Sequence, residues 1–395
     1  MAATKEMFYY TRVIMILCGI WRLEIHKAPV TLKDIYPLYS AVVQIWNALT
    51  PILLGANLPT LFRSNNVAVA YETLTSFLYS AVLTLKISMC QMGILPKLIK
   101  LALDKERHLY SKLRGCNPAL QQIYEEHVFY CNKLTKIFYL TVAGGTVFHL
   151  EFGIVDGYNF SKSQKHSNVT LSKPLPLHFW YPVDENKYYT WMLVDQLLKI
   201  ALTAFYIAGF QSFSTSLFIF LRAQLKILQE NFRNFHELEP WESSAFWSLR
   251  TVCLKHQEFI GYVEDLNKWI KPIILIEYGT SSVMCAGLLF QIIAEVNVAF
   301  NVVFVFILWG QLMLLAWNCN EVLIESANLA KALYESEWYE QDARTKVLIY
   351  TMILRCQKPL TLNIGPFGPM TADAALSRIK MAYSYTTLMT GDDLK

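Results

Sequence analysis

Long apolar runs separated by short polar stretches set the pattern of this chain. A helix that crosses a bilayer core needs about 20 mostly apolar residues. Stretches 35–58, 68–92, 128–149, 189–221, 272–300 and 302–317 meet or approach that length, and the last two adjoin with almost no loop. A seventh segment is broken. A short helical pattern over 345–356 gives way to 359–369, which contains Gly365, Pro366 and Gly368, and a last helix follows over 371–390. Val13 to Trp21 is too short to span and reads as an amphipathic or re-entrant helix near a membrane surface.

Between the fourth and fifth segments, 222–271 stays helix-like but amphipathic. Apolar residues at 253, 254, 260, 263, 266 and 270 form one rough face, and charges at 255, 258, 264, 265 and 268 form the others. It reads either as a cytosolic subunit-contact domain or as a solvated extension within one chain. Residues 320–343 continue the sixth segment in the same way, with Trp338 and Tyr339 placed to anchor it to neighbours.

Composition narrows the picture. Only 17% of residues are charged and 54% are hydrophobic, against roughly 25% charged in soluble domains. That excludes disorder and coiled coil, and six such apolar helices are hard to hide in one soluble core. A net charge of +4 gives no argument for nucleic acid. Eight cysteines without a C-x-x-C pair argue against a zinc or iron–sulfur site. No cleavable leader pattern is seen at the start. HExxH, GxSxG, GxGxxG and P-loop motifs are missing, so the chain does not read as an enzyme and calls for no cofactor or metal. D-R-Y and N-P-x-x-Y are missing as well, which argues against a G-protein-coupled receptor. A transporter normally breaks helices in both halves, whereas only the last segment is broken here.

Charge orients the segments. With the N-terminus inside, 23 Lys and Arg fall on the cytosolic side and six outside, as the positive-inside rule requires. Seven crossings then leave the C-terminus outside. Two sequons, Asn159 and Asn168, lie in the 150–188 loop, which this orientation places outside as a glycosylated loop.

The last helix carries a polar stripe. At roughly 100° per residue, Asp373, Ser377, Lys380, Ser384, Thr387 and Gly391 fall along one line, with Leu388 on its shoulder. Such a stripe at membrane depth faces a bundle interior or water. It fits a pore wall closed by a bulky apolar residue, and equally a face packed inside a monomer.

The C-terminal third carries a family signature. Ala332-Leu333-Tyr334, Trp338-Tyr339, Gln357-Lys358-Pro359-Leu360, the run Gly365 to Pro369 and Ser384-Tyr385 resemble the insect odorant receptors. His256, Tyr262-Val263-Glu264 and Ser281-Ser282 to Cys285 look like the same family. The resemblance implies an all-α polytopic membrane protein with seven transmembrane helices and the N-terminus inside. It implies a cytosolic N-terminal segment (1–34), transmembrane helices 1–4 with the ligand pocket (35–221), cytosolic anchor helices (222–271) and transmembrane helices 5–6 (272–317). An anchor part with the inner half of helix 7 (318–369) and a pore-lining outer helix 7 (370–391) follow.

The family's channels are ligand-gated tetramers with a cation pore lined by the outer part of helix 7. The short 222–271 connection and the pattern Lys380, Tyr383, Ser384, Tyr385 resemble the odour-specific subunit rather than the co-receptor. A ring of four Lys380 would repel cations, so a heterotetramer with the co-receptor is implied. Leu388 matches the family's apolar gate, with Gly391 flanking it. The implied setting is the plasma membrane of olfactory sensory neurons; the implied ligand is a small, volatile, apolar organic molecule, and a metabotropic chemoreceptor or a transporter is the alternative. Such a ligand needs an aromatic and aliphatic cavity. Phe77, Leu78 and Tyr79 on the second segment, Tyr139, Gly145, Phe148 and His149 on the third, and Trp191, Tyr206 and Phe210 on the fourth are the expected lining.

Overall fold

The computed structural model describes residues 6–21, 30–63, 67–91, 95–113, 118–164, 175–183, 185–237, 245–293, 295 and 298–391. Among these residues the secondary structure is helical, apart from one isolated bridge between Asn363 and Pro369. The helices are α1 (Tyr9–Leu17), α2 (Val30–Arg63), α3 (Val67–Gln91), α4 (Leu95–Leu113), α5 (Pro118–Gln164), α6 (Glu185–Arg233), α7 (Ala245–Ile293), α8 (Val298–Tyr334), α9 (Ala343–Cys356) and α10 (Ala372–Gly391). Four of them, α2, α6, α7 and α8, contain stretches long and apolar enough to cross a membrane by length and composition.

Exposed apolar stripes say what surrounds the bundle. Along α2, Ile35, Leu38, Val42, Ile45, Leu49 and Ile52 are all exposed. Their three- and four-residue spacing puts them on one helix face. The face of α6 bearing Trp191, Val194, Leu198 and Phe205 is open in the same way. In water, patches of this length are unfavourable; against lipid tails they cost nothing.

The sequence-predicted segments map onto these helices with four differences. The boundary between the fifth and sixth segments lies near residue 295 instead of 300–302, because α7 ends at Ile293 and α8 begins at Val298. Glu295 takes a left-handed φ of 57° there, a turn that no glycine or proline announces. The third segment does not end near His149: α5 continues to Gln164, so the first part of the expected 150–188 loop is helix. In the connection after α6, the buried face of α7 runs through Leu249, Val252, His256, Phe259, Val263, Leu266 and Ile270, while Leu254 is exposed. The seam is thus rotated from the expected one and includes a histidine. Finally, α1 is docked on the bundle by one face, while Tyr9, Val13 and Leu17 stay exposed on the other. Met7, Phe8, Thr11 and Met15 are buried, Phe8 sits 6.3 Å from Phe213 and 6.0 Å from Phe220, and Thr11 Oγ1 is 3.0 Å from Ser212 Oγ.

Where α6 and α8 leave the apolar zone, charge holds them together. Glu325 takes Lys226 Nζ at 2.8 Å and Gln229 Nε2 at 3.0 Å, and Arg222 reaches Glu321 at 3.0 Å. Burial works to raise the Glu325 pKa, but hydrogen bonds from Lys226, Gln229 and Asn328 outweigh it and hold the carboxyl below its usual range. Trp338 and Tyr339, expected as anchors, lie at the surface with Tyr334 beside Trp338.

The break before the last helix is a pinned hairpin. Ile364 N donates to Gly368 O at 2.8 Å, Met370 N to Leu362 O at 2.8 Å, and Leu360 N to Ser326 Oγ at 2.9 Å. Gly365 has φ 50°, and a Cβ there would sit 2.8 Å from Leu275 Cδ2. Only glycine meets both demands.

Candidate functional site: an internal cavity

The helices converge on a cavity of about 430 Å³. Thr50 and Leu54 of α2, Glu72, Thr75, Ser76, Tyr79 and Ser80 of α3, Val142, Gly145 and Thr146 of α5, and Lys199, Ile200, Thr203, Ala204 and Ile207 of α6 contribute to its wall. Met284, Leu288 and Gln291 of α7 and Phe300 to Gln311 of α8 complete it. A cover of Leu175 to His178 lies over one end.

Local contacts explain how the wall is built. Gly145 lets α5 approach α8: a Cβ there would meet Ile307 Cδ1 at 3.3 Å. Gly287 does the same between α7 and α3, where a Cβ would lie 2.5 Å from Thr75 Cγ2. The backbone of the cover is tied down by hydrogen bonds with α2 and α6. Gln196 exchanges two bonds with Leu177, at 2.9 and 3.0 Å. Trp180 N donates to Leu53 O at 3.0 Å, and Asn57 Nδ2 to His178 O at 3.0 Å. Beside the cover, Asp195 accepts from Lys199 Nζ at 2.8 Å and from Trp46 Nε1 at 2.9 Å. Lys199 therefore lines the cavity as a neutralised charge.

Of the expected ligand residues, Tyr79 and Gly145 line this cavity. Phe210 reaches only a small void below it, shared with Tyr79, Lys86 and Glu277. The others go elsewhere for identifiable reasons. Phe77 packs on Gly55 of α2, its ring 3.0 Å from where a Cβ would be. Leu78 and Trp191 face outward, Trp191 at 77% exposure. Tyr139 bonds Ser212 at 2.9 Å, and the buried Tyr206 donates to Gln44 at 3.2 Å, so both tie helices together. Phe148 and His149 lie on α5, but their side chains fall outside the described residues. Asn159 has helical backbone with its side chain likewise outside, and Asn168 is outside altogether.

The polar half of the lining was missed: Thr50, Glu72, Thr75, Ser76, Ser80, Thr203 and Asn301. A signal was present. Glu72, Ser76, Tyr79 and Ser80 recur at three- and four-residue spacing inside an apolar run, and polar groups at that depth face a cavity.

On α10, Asp373, Ser377, Lys380 and Ser384 are exposed, while Ala375 is buried against the bundle. Leu376, Met381 and Tyr383 are exposed too. The Ser377 hydroxyl donates to Asp373 O at 2.9 Å and that of Ser384 to Lys380 O at 3.0 Å. Thr387, Leu388 and Gly391 continue the helix with side chains outside the described residues.

Residues 64–383 match the model of the 7tm Odorant receptor family. The chain belongs to that family. This odorant receptor family member is 32% identical to Odorant receptor 10 of Aedes albopictus over 46% of its own length and 49% of that protein's. It is 27% identical to Odorant receptor Or2 of Anopheles gambiae over 46% of its length and 50% of that relative's. The aligned region thus spans about half the length of these relatives. The insect olfactory receptor OR5 of Machilis hrabei, solved in complex with eugenol, superposes with a TM-score of 0.79 over 97% of both chains at 14% identity. At that identity the likeness concerns the fold, which is the insect olfactory receptor fold expected from the C-terminal signature. It is a receptor family and not an enzyme family.

Proposed function

We propose that this chain is the odorant-binding subunit of a ligand-gated, non-selective cation channel, assembled as a heterotetramer with the odorant co-receptor in the plasma membrane of olfactory sensory neurons. The observation that carries the reading is the cavity of about 430 Å³ lined by α2, α3, α5, α6, α7 and α8 in a chain of this family. Its size and largely apolar wall suit one small volatile molecule. The similar fold of the Machilis receptor, solved with eugenol, supports the same use.

The rest of the arrangement is consistent with that role. The exposed polar residues of α10 are available to face a central ion path formed with other subunits, with Leu388 as apolar gate and Gly391 beside it. Exposed Val347, Tyr350 and Leu354 on α9, with Tyr334 and Tyr339 nearby in sequence, offer a surface for subunit contact at the anchor end. The N-terminus lies inside and the C-terminus outside, with Asn159 and Asn168 on the outer side for glycosylation. Ligand binding then shifts a closed–open equilibrium by its preference for the open state.

The test is odour-evoked current in cells expressing this chain alone and with the co-receptor. Current only in the pair is the expected result, with Leu388→Ala raising ligand-independent leak and Lys380→Ala shifting the cation reversal potential. Equal currents without the co-receptor overturn the heteromer. Unchanged leak and reversal potential in well-expressed channels remove α10 from the pore.

A further inference from the structure

The cavity wall carries several hydroxyls, the amides of Gln291, Asn301 and Gln311, and a lysine. Three of its hydroxyls have spent their protons on their own helices: Thr75 on Glu72 O at 2.8 Å, Ser80 on Phe77 O at 3.0 Å and Thr146 on Val142 O at 2.8 Å. The Lys199 ammonium is engaged by Asp195 at 2.8 Å and lies over the Phe179 ring. Against these stands Glu72, an acidic side chain on the cavity wall. Among the described residues no hydrogen bond or salt bridge joins its carboxyl to another side chain, and His178 of the cover lies on the same wall. Thr50 is a second unsatisfied group: its hydroxyl is buried on the same wall with no partner.

An acidic group at this depth is costly unless something answers it. The same holds for a buried hydroxyl that makes no hydrogen bond. A hydrocarbon ligand would leave both unanswered. An ether or ester offers acceptors only, which does nothing for Glu72. A hydroxyl offers what Glu72 lacks, because its proton can go to the carboxyl.

We infer that Glu72 selects ligands carrying a hydroxyl group, an alcohol or phenol on a compact hydrocarbon body, over isosteric ligands without a donor. The inference rests on the reading of this cavity as the odorant site. The apolar wall of Leu54, Ile207, Met284, Leu288, Phe304 and Ile307 takes the body and Glu72 orients the head.

Isomeric pairs test it: p-cresol with anisole, 2-phenylethanol with benzyl methyl ether, and 1-octanol with heptyl methyl ether. Binding is read as thermal stabilisation of the purified full chain, and gating as current in cells with the co-receptor. The expected result is a preference for the hydroxyl member of at least one pair by about tenfold in affinity, the scale of one net hydrogen bond. Glu72→Met should collapse that preference to near unity. Glu72→Gln, which keeps an acceptor oxygen and the side-chain shape, should retain part of it and serves as the control for folding. Equal binding of alcohol and ether in the wild type overturns the inference and leaves the odorant site standing. So does a hydroxyl preference that survives Glu72→Met. Failure of every probe to bind or gate overturns the odorant-site reading, and this inference with it.

Discussion

Below the cavity, Lys86 of α3 donates to Glu277 of α7 across the small void that Tyr79 and Phe210 share. Lys86 is 8% exposed at its side chain and Glu277 29%. Removing one member of such a pair leaves the other as an unanswered charge in a poorly solvated place, which costs about 3–5 kcal/mol. Because Glu277 stays partly open, the low end, about 3 kcal/mol, is the expectation for Lys86→Met. Replacing both residues, Lys86→Met with Glu277→Met, removes the stranded charge and fills the space with apolar volume, so it should cost far less than the sum of the two single changes. The assay is a double-mutant cycle on thermal midpoint in detergent, with surface expression as a second readout. A coupling of about 2–3 kcal/mol in favour of the double variant is expected. Additive losses, with the double variant as damaged as both singles combined, would refute the view that the pair is retained as a matched set. The position gives the test wider reach, because α3 also lines the cavity and α7 also packs on α10.

The remaining predictions concern packing and pH. Gly287→Ala should destabilise by about 1–3 kcal/mol, since its Cβ meets the methyl of a stiff β-branched residue; Thr75→Ser, which removes that methyl, should restore most of the loss, and equal stability without rescue would refute the close approach of α3 and α7. Glu106 of α4 accepts from Met7 N at 2.6 Å and Tyr124 OH at 2.7 Å, and burial pushes its carboxyl up to about 7 from 4.5. The native state therefore holds a proton that the unfolded state has released, and stability falls as pH rises from about 4.5 to about 7 and then levels. His256, which burial and then Arg355 hold down to about 4 from 6.5, slopes the other way over its own window. The difference between wild type and Glu106→Gln in thermal midpoint across pH 5 to 8 isolates the Glu106 part. Parallel curves would show that Glu106 does not titrate as its surroundings imply.

How much of this was legible in the sequence depended on whether a signal was local. The apolar runs follow from what each segment must face, so each predicted crossing falls mainly on a helix, the fifth overrunning the end of α7, and the Gly365 to Pro369 break is a real hairpin because two glycines there take positive φ. The turn at Glu295 was invisible because a left-handed glutamate flanked by apolar residues has no local mark. The cavity shows the same division more sharply. Aromatic type alone could not separate Tyr79, which lines it, from Phe77, which fills the space over Gly55 two residues away, or from Trp191, which points outward. Which face of a helix turns inward is decided by its neighbours, and those contacts are set by residues far away in the chain. Polar residues inside an apolar helix escape that ambiguity, because lipid excludes them and only a cavity or a partner can accommodate them. In this chain Glu72, Ser76 and Ser80 point to the inward face of α3 more reliably than its aromatics do, and the residue that is hardest to explain in lipid, Glu72, is the one with most to say about the ligand.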